Sequence, residues 1–470
     1  MGKILSKKVS SSSDIGNFTE TIKFQVLHCG HVSHNHNKFY CLELMKSPQG
    51  AYQLFSHYGR LGSSNIYEVR NEEDGMPLTL QSAEDEFESI IKKKVKGKTV
   101  KEDDGTSRLE KYEKVATVKP TVGSINICNK AVETVTVKTG MKIDSTAFDA
   151  ESRRILNQVI DENIHNITSL TALKLTSNGF ETPLGPVTKD HIDEARKPLQ
   201  LLKSLLTDSG LNPETKDVRD SNNRYYSLIP HHFGSRITQA DWILSAEKLI
   251  SEFDMLDNLE SAIQMGAAMK QNGDENKRLN ALGSDIELLK DQKEWDRLVK
   301  YFETSKAQNH RNIWNYKVKN IFKIKIPTER KRFENEGNKV GNVTELFHGS
   351  KNCNILSIMK NGLIVPPCNA PGVTGRMFGD GLYGAHNSTK ALNYSIGYWS
   401  GSRNKFDNAF LFVTQFAMGK KYEVTSSLYN GAPKGYDSVH AKKGSSLIND
   451  EYIVYKLHQA TLTHLIELKA

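Results

Sequence analysis

Three short segments in the last part of this 470-residue chain carry groups fit for chemistry. They are Leu346-Phe347-His348-Gly349-Ser350, Phe378-Gly379-Asp380-Gly381-Leu382-Tyr383 and Asn449-Asp450-Glu451-Tyr452-Ile453-Val454-Tyr455. A carboxylate beside a centre that develops positive charge stabilises it, and can orient or deprotonate an acceptor. Stacked aromatic rings fix a flat ligand ring. Taken singly, each segment has a plainer explanation. A histidine at a strand end is commonly structural, Glu451 is then an edge-strand carboxylate, and Tyr383 a core aromatic beside a glycine turn.

The surrounding pattern says which elements must position them. From Tyr316 the apolar residues Tyr316, Val318, Phe322, Ile324 and Ile326 alternate with Lys317, Lys319, Lys323 and Lys325. That period of two predicts a strand with one buried face and one wet, lysine-bearing face. Strands dominate from there on, Ala409–Ala417 and Tyr452–Tyr455 most clearly, and a short helix Ile355–Lys360 should stop at Asn361-Gly362. Residues 147–305 read as helices: Ile155, Val159 and Ile160 share a face, as do Leu199, Leu202 and Leu205, then Leu256, Leu259 and Ile263. Pro183-Leu184-Gly185-Pro186, Asn212-Pro213 and Ile229-Pro230 break the run, and a helical bundle is the natural solution.

Toward the N-terminus, residues 1–20 are Ser-rich and lack periodicity, which predicts disorder. Phe39–Leu44 and Tyr52–Phe55 read as strands joined by a Ser47-Pro48-Gln49-Gly50 turn. A helix opens near Ser82, read as its N-cap, with Phe87, Ile90 and Ile91 at helical spacing. Residues 113–146 read as a linker in which Val115–Val118 and Val132–Val137 are strand-like.

Taken together and in this order, the three segments closely resemble the His-Tyr-Glu signature of the poly(ADP-ribose) polymerase family. Lys390-Ala391-Leu392-Asn393-Tyr394, Pro433-Lys434-Gly435 and Ser438-Val439 extend the likeness across nearly all of 316–470. The resemblance implies NAD+ as substrate and no metal. His348 would bind the adenine-side ribose, and the Gly349 backbone the nicotinamide amide. Tyr383 and Tyr394 would sandwich the nicotinamide ring. Ser350 and Asn354 would help hold the adenosine half, and Glu451 the 2′-hydroxyl of the nicotinamide-side ribose. The set His348, Tyr383 and Glu451 favours chain elongation. Nicotinamide leaves as a neutral group, so no general acid is needed, and the ribose left behind has oxocarbenium character. There are departures. Ala391 stands where the family often has a serine, a loss of about 1 kcal/mol if one hydrogen bond goes with it. Ile364 replaces a common arginine, the Cys368–Thr374 segment is one residue longer than expected, and the loop between Ser438 and Glu451 is short.

The helical region resembles the family's regulatory domain, through Thr182-Pro183-Leu184-Gly185, Asn223–Gly234 and Met255-Leu256-Asp257-Asn258-Leu259. Such a domain impedes NAD+ entry until DNA binding loosens it, a population shift. Tyr58-Gly59-Arg60, then Leu61-Gly62, resembles the WGR motif. Tyr58 and Arg60, with Lys92, Lys93 and Lys94 on the following helix, are the candidate DNA contacts; a core tyrosine and a solvated helix end are the alternatives. Lys96 and Lys98 continue that basic run. Cys29, His31, His34 and His36 match no structural zinc spacing and read as a histidine-bearing loop between strands.

The expected fold is therefore multidomain α+β: disordered residues 1–20, a WGR-like sheet-plus-helix domain at 21–112, a linker at 113–146, an all-α bundle at 147–305 and a mixed α/β catalytic domain at 306–470. The composition agrees with this. Hydrophobic residues make up 37% and charged residues 25%, with no apolar run long enough for a membrane span and no signal-peptide core. Five scattered cysteines suit a reducing compartment. A net charge of +8 agrees with a polyanionic partner. The expected partners are DNA strand breaks, preferably 5′-phosphorylated, and acceptor proteins including the chain itself, which is taken as a monomer in the nucleus. Met1-Gly2-Lys3-Ile4-Leu5-Ser6 also fits a myristoylation pattern, which keeps a cytoplasmic or membrane-associated location open. Two other functions stay open: a mono-ADP-ribosyltransferase with the same site, and a DNA-end-binding scaffold of weak catalysis.

Overall fold

The computed structural model describes residues 4–9, 16–31, 36–60, 66–101, 107–110, 112–115, 148–176, 179–182, 185–207, 209–233, 237–270, 282–365, 377–396, 407–428 and 430–470. Gly2, His34, Val132–Val137, Pro183, Leu184 and Cys368–Thr374 lie outside them. The chain divides into two units. One comprises Met1–Val135, Thr168–Leu201 and Asn212–Ile243, and the other Thr136–Ile167, Leu202–Leu211 and Leu244–Ala470.

The first unit is built on a six-stranded antiparallel sheet. Its central strands, Glu20–His31, His36–Lys46 and Tyr52–Arg60, each carry aromatic residues, Phe24, Phe39, Tyr40, Tyr52, Phe55 and Tyr58. The turn between the last two closes as the sequence predicts: the Gly50 amide donates to the Ser47 carbonyl at 3.0 Å, and Gly50 takes a φ of +84°. One face buries Leu27, Cys29, Tyr40, Leu42 and Leu54 against Ala83, Phe87, Ile90 and Ile91 of the Leu80–Lys96 helix. Cys29 therefore sits in a core, 1% exposed.

Three expectations need correction here. Lys7–Val9, inside the stretch expected to be disordered, pairs with Ile66–Arg70 as an edge strand, because Val9 packs on Met45, Phe55 and Val69. Glu113–Val115, assigned to the linker, pairs with Glu20–His31 and closes the other edge. Thr79, rather than Ser82, is the helix N-cap; Ser82 completes a capping box, its hydroxyl accepting from the Thr79 amide at 3.1 Å.

Elsewhere in this unit the Lys216–Leu228 helix anchors the segment that follows it. Asn222 clasps Ile243, accepting from its amide at 2.7 Å and donating to its carbonyl at 3.3 Å. Tyr226 meets His231 and Phe233 edge-on at 5.0 and 4.8 Å. The Asn223–Phe233 motif is thus packing and capping.

The second unit has a five-stranded antiparallel sheet in the order Asp285–Leu288, Lys317–Lys325, Ala460–Lys469, Asn408–Ala417, Val343–His348. Beside it lies a four-stranded sheet in the order Leu382–Gly384, Glu451–Val454, Ser438–Ala441, Lys421–Val424. Both faces of the larger sheet are covered. The Ala150–Leu170 helix brings Ile155, Leu156 and Val159 to Phe410, Phe412 and Leu465. On the other face, Leu298 and Phe302 of the Gln292–Thr304 helix meet Leu411, Val413 and Ile466. Lys317, Lys319, Lys323 and Lys325 are exposed, the wet face that was expected; the departure is at Ile321 and Phe322, adjacent in the chain and both 0% exposed, just after the register shifts between Val318 and Asn320. Lys319 reaches the fully buried Glu467 at 3.0 Å, alongside Arg154. The segment expected to be all-helical also carries short strands, Lys174–Thr176, Gly179–Thr182 and Asp285–Leu288. Asp285–Leu288 is strand because Ile286 is drawn into the sheet core opposite Ile324.

Candidate active site

Three short strands bring the signature together. His348 ends its strand, and the neighbouring Phe347 exchanges backbone hydrogen bonds with Ala385 at 2.9 and 3.0 Å. That bridge sets the strand end beside Leu382–Gly384. Tyr383 lies opposite Ile453 in the pair Leu382–Gly384 and Glu451–Val454, so Glu451 opens the strand that flanks Tyr383. Glycines permit the approach. A Cβ on Gly349 would collide with the Ala391 carbonyl, and one on Gly381 with the Ile453 side chain.

His348, Gly349, Ser350, Asn354, Tyr383, Tyr394 and Glu451 all line one cavity of about 280 Å³. The structure thus gathers every residue that the resemblance implies for NAD+. His348 Nδ1 donates to the Tyr383 carbonyl at 2.8 Å, which leaves Nε2 as the acceptor of the neutral ring. Burial holds the imidazole below its ordinary pKa despite that hydrogen bond. The Tyr383 hydroxyl is spent on its own turn, donating to the Gly379 carbonyl at 2.7 Å and accepting from the Phe378 amide at 3.1 Å. Its ring therefore has a fixed direction.

Glu451 is 4% exposed. It faces the Lys390 ammonium at 3.0 Å and the Tyr394 hydroxyl at 3.4 Å. Burial, then the Glu451 charge, pushes the Tyr394 phenol well above its usual pKa. Lys390 is depressed by its burial, a shift that Glu451 partly opposes. Sequence alone assigned Lys390 no role; its place one helical turn before Tyr394 was the available signal. The departures lie on the cavity wall as well: Ala391 and Ile364 both line it, the first 3% and the second 42% exposed.

The Ala246–Lys270 helix supplies Ile250, Asp254, Asp257 and Asn258 to the same cavity. It engages the residues expected to hold adenosine. Asn354 donates to Asp254 at 3.2 Å and to the Ser350 hydroxyl at 3.3 Å, and accepts from Asn258 at 2.8 Å. No side-chain type in that helix announces this role; its likeness to a regulatory domain located only the segment.

The candidate DNA contacts have a different setting. Tyr58 stacks on Tyr40 at 5.2 Å and donates its hydroxyl to Glu68 at 2.8 Å. Lys94 lies over the Tyr40 ring, 4.2 Å from its centroid. Lys92 and Lys93 are exposed, and Arg60 is half-buried at the end of its strand. Among the described residues no cluster of histidine, cysteine and carboxylate side chains could hold a metal, and no helix is long and apolar enough to cross a membrane.

Family models agree with this layout. A WGR domain matches residues 25–106, the regulatory domain of poly(ADP-ribose) polymerase 150–285, and its catalytic domain 292–447. The chain belongs to the poly(ADP-ribose) polymerase family. Among its relatives are a poly [ADP-ribose] polymerase of Sarcophaga peregrina, 25% identical over 93% of this chain and 45% of the relative, and poly [ADP-ribose] polymerase 1 of Gallus gallus, 26% identical over 92% and 44%. The protein mono-ADP-ribosyltransferase PARP3 of Homo sapiens is 24% identical over 93% of this chain and 86% of the relative. The chain thus spans about 45% of the first of these.

Proposed function

We propose that this polymerase-family chain transfers ADP-ribose from NAD+ to protein acceptors, extends the product into chains, and is activated by DNA strand breaks. The observation that carries the transfer reaction is the Glu451–Lys390 pair, buried in a cavity shared with His348, Tyr383 and Tyr394. The bond between the ribose C1′ and the pyridinium nitrogen breaks. Nicotinamide departs with the bonding pair as a neutral molecule, and positive charge grows at C1′. Glu451 lies where a carboxylate stabilises that charge and holds a ribose hydroxyl. The acceptor oxygen then bonds to C1′ and gives up its proton to Glu451 or solvent. Tyr383 and Tyr394 offer ring faces for the leaving group, and His348 Nε2 an acceptor for a ribose hydroxyl.

Regulation follows from the same wall. NAD+ carries two phosphate charges, and Asp254 and Asp257 present two carboxylates on the helix that lines the cavity. Withdrawal of that helix removes the repulsion and frees Ser350 and Asn354. Binding of a break by the WGR domain, through Tyr58, Arg60, Lys92 and Lys93, is the event we assign to that withdrawal, in the nucleus. One specific observation favours single-unit transfer instead. This chain covers 86% of the mono-ADP-ribosyltransferase's length, against 45% of the Sarcophaga peregrina polymerase's, and the loop before Glu451 is short.

Labelled NAD+ with and without a 5′-phosphorylated nicked duplex tests the whole proposal. Nicotinamide release should rise with the nick, and automodified product should run as a smear. A sharp band would mean single units, and no release would reject the transferase. Glu451→Gln should lose elongation by about 10²–10⁴-fold while still binding NAD+.

A further inference from the structure

The Lys390 ammonium is surrounded by three consecutive residues. It donates to the Asn449 carbonyl at 2.6 Å and the Asp450 carbonyl at 3.3 Å, and faces Glu451 Oε1 at 3.0 Å. An ammonium has three donors, and all are used here. Where the cation sits therefore depends on the backbone at 449–450 as much as on the carboxylate. That backbone is outside the ladder, since Glu451, opposite Ala441, is the first paired residue of its strand.

What holds it is the Asp450 side chain. Its Oδ2 accepts from His440 Nε2 at 2.9 Å, and its Oδ1 from the Lys443 amide at 2.8 Å. Burial pushes the Asp450 carboxyl up, but these two donors outweigh it and the group lies below its ordinary pKa. His440 is itself braced. Its ring stacks on Tyr452 at 4.3 Å with planes 13° apart, and its Nδ1 is 3.5 Å from Glu423, which also pairs with Lys442. Tyr452 meets His386 edge-on at 4.9 Å. Successive residues of a strand face opposite ways. Glu451 turns to the cavity, and Tyr452 with His440 braces the strand from the other side.

We propose that Asp450, clasped by His440 and the Lys443 amide, is a positioning residue that sets the Lys390 ammonium against Glu451. Neither Asp450 nor His440 lines the cavity, so the pair acts through the carbonyls it fixes. The role rests on the transferase proposed above, and its test must be separable from that proposal.

The measurement is NAD+ turnover by the full chain with nicked duplex, for wild type, Asp450→Ala and Asp450→Asn. Asp450→Ala should lower kcat about tenfold or more, with KM for NAD+ within about threefold, because misplacement of the pair acts on the reacting centre. Asp450→Asn should restore kcat to within about threefold of wild type, its side-chain oxygen accepting from the Lys443 amide and its NH2 group meeting the His440 ring. An Asp450→Ala enzyme with unchanged kcat, or an asparagine variant as slow as the alanine one, would overturn the role.

A second readout needs no turnover. Amine acylation followed by peptide mass spectrometry should find Lys390 protected in wild type and about tenfold or more faster to label in Asp450→Ala. Lys306, whose side chain is 4% exposed in its own ion pair with Glu303, should stay protected in both. Lys390 equally protected in both proteins rejects the brace. Exposure of both lysines together also rejects it, as general loosening. Absence of wild-type turnover rejects the transferase alone, and the labelling then decides the brace.

Discussion

Two regions of this chain set a lysine among tyrosines, and they solve the arrangement in opposite ways. In the WGR unit, Lys94 lies 4.2 Å from the Tyr40 ring centroid, 5.2 Å from that of Tyr112 and 5.8 Å from that of Tyr58. Ring faces stabilise its charge, and one face of Tyr58 is already covered by Tyr40. In the catalytic unit, Lys390 is balanced by a carboxylate and two carbonyls. The rings of Tyr383 and Tyr394 are left to line an open cavity. The same residue types make packing where they satisfy one another, and a site where other groups satisfy the cation. Residue type alone does not tell a closed cage from a binding wall.

Exchanging the two lysines for methionine is the strongest way to break this comparison. Lys390→Met leaves Glu451 buried without its counter-charge. Transfer should fall by about 10²–10³-fold, and the unit should lose about 3 kcal/mol to urea. Full turnover in Lys390→Met would show that the pair is mere packing.

His57 sharpens the contrast from the closed side. It lies on the same strand as Tyr58, 2% exposed, with the Phe39 and Phe55 rings at 5.6 and 5.8 Å. Burial pushes its pKa down to about 4 from an ordinary 6.5. The unfolded chain therefore binds a proton as pH falls through 6.5, and the folded chain does not until near 4. Stability present above pH 6.5 is lost on the way down, roughly 2 kcal/mol between pH 7 and pH 5. His57→Phe should flatten that acid slope in urea melts at the two pH values. An unchanged slope would place the titration elsewhere.

The smallest effect belongs to Lys94→Met. It should cost the WGR unit about 1 kcal/mol and leave the salt dependence of DNA binding unchanged, since that ammonium faces rings. Replacing Lys92 and Lys93 by alanine should reduce the salt slope by about 1 for each phosphate that is no longer neutralised. A reduced slope in Lys94→Met would return that lysine to the DNA-binding set.

Much of this layout was legible in local pattern. The alternation at Tyr316–Ile326 marked a strand, and Asn361-Gly362 marked the end of the Ile355–Asn361 helix, where Gly362 takes a φ of +76°. His348, Tyr383 and Glu451 were recognisable because each sits in its own short motif. The edge strands Lys7–Val9 and Glu113–Val115 were not, because an edge strand owes its conformation to the partner it pairs with. Ser82 looked like a cap because capping residues cluster, and only the observed hydrogen bonds separate the cap from the residue three positions later.

By itself, then, the order of residues marked the main helices and strands, the family they compose and three candidate site groups, because periodicity and short motifs are local properties. Only the folded chain decided that Lys390 meets Glu451 and that Asp254 and Asn258 hold Asn354. It also decided that Asp450 is clasped by His440. Those pairings cost the desolvation of charged and polar groups, and that cost is offset only where tertiary packing brings partners from distant segments within hydrogen-bonding reach.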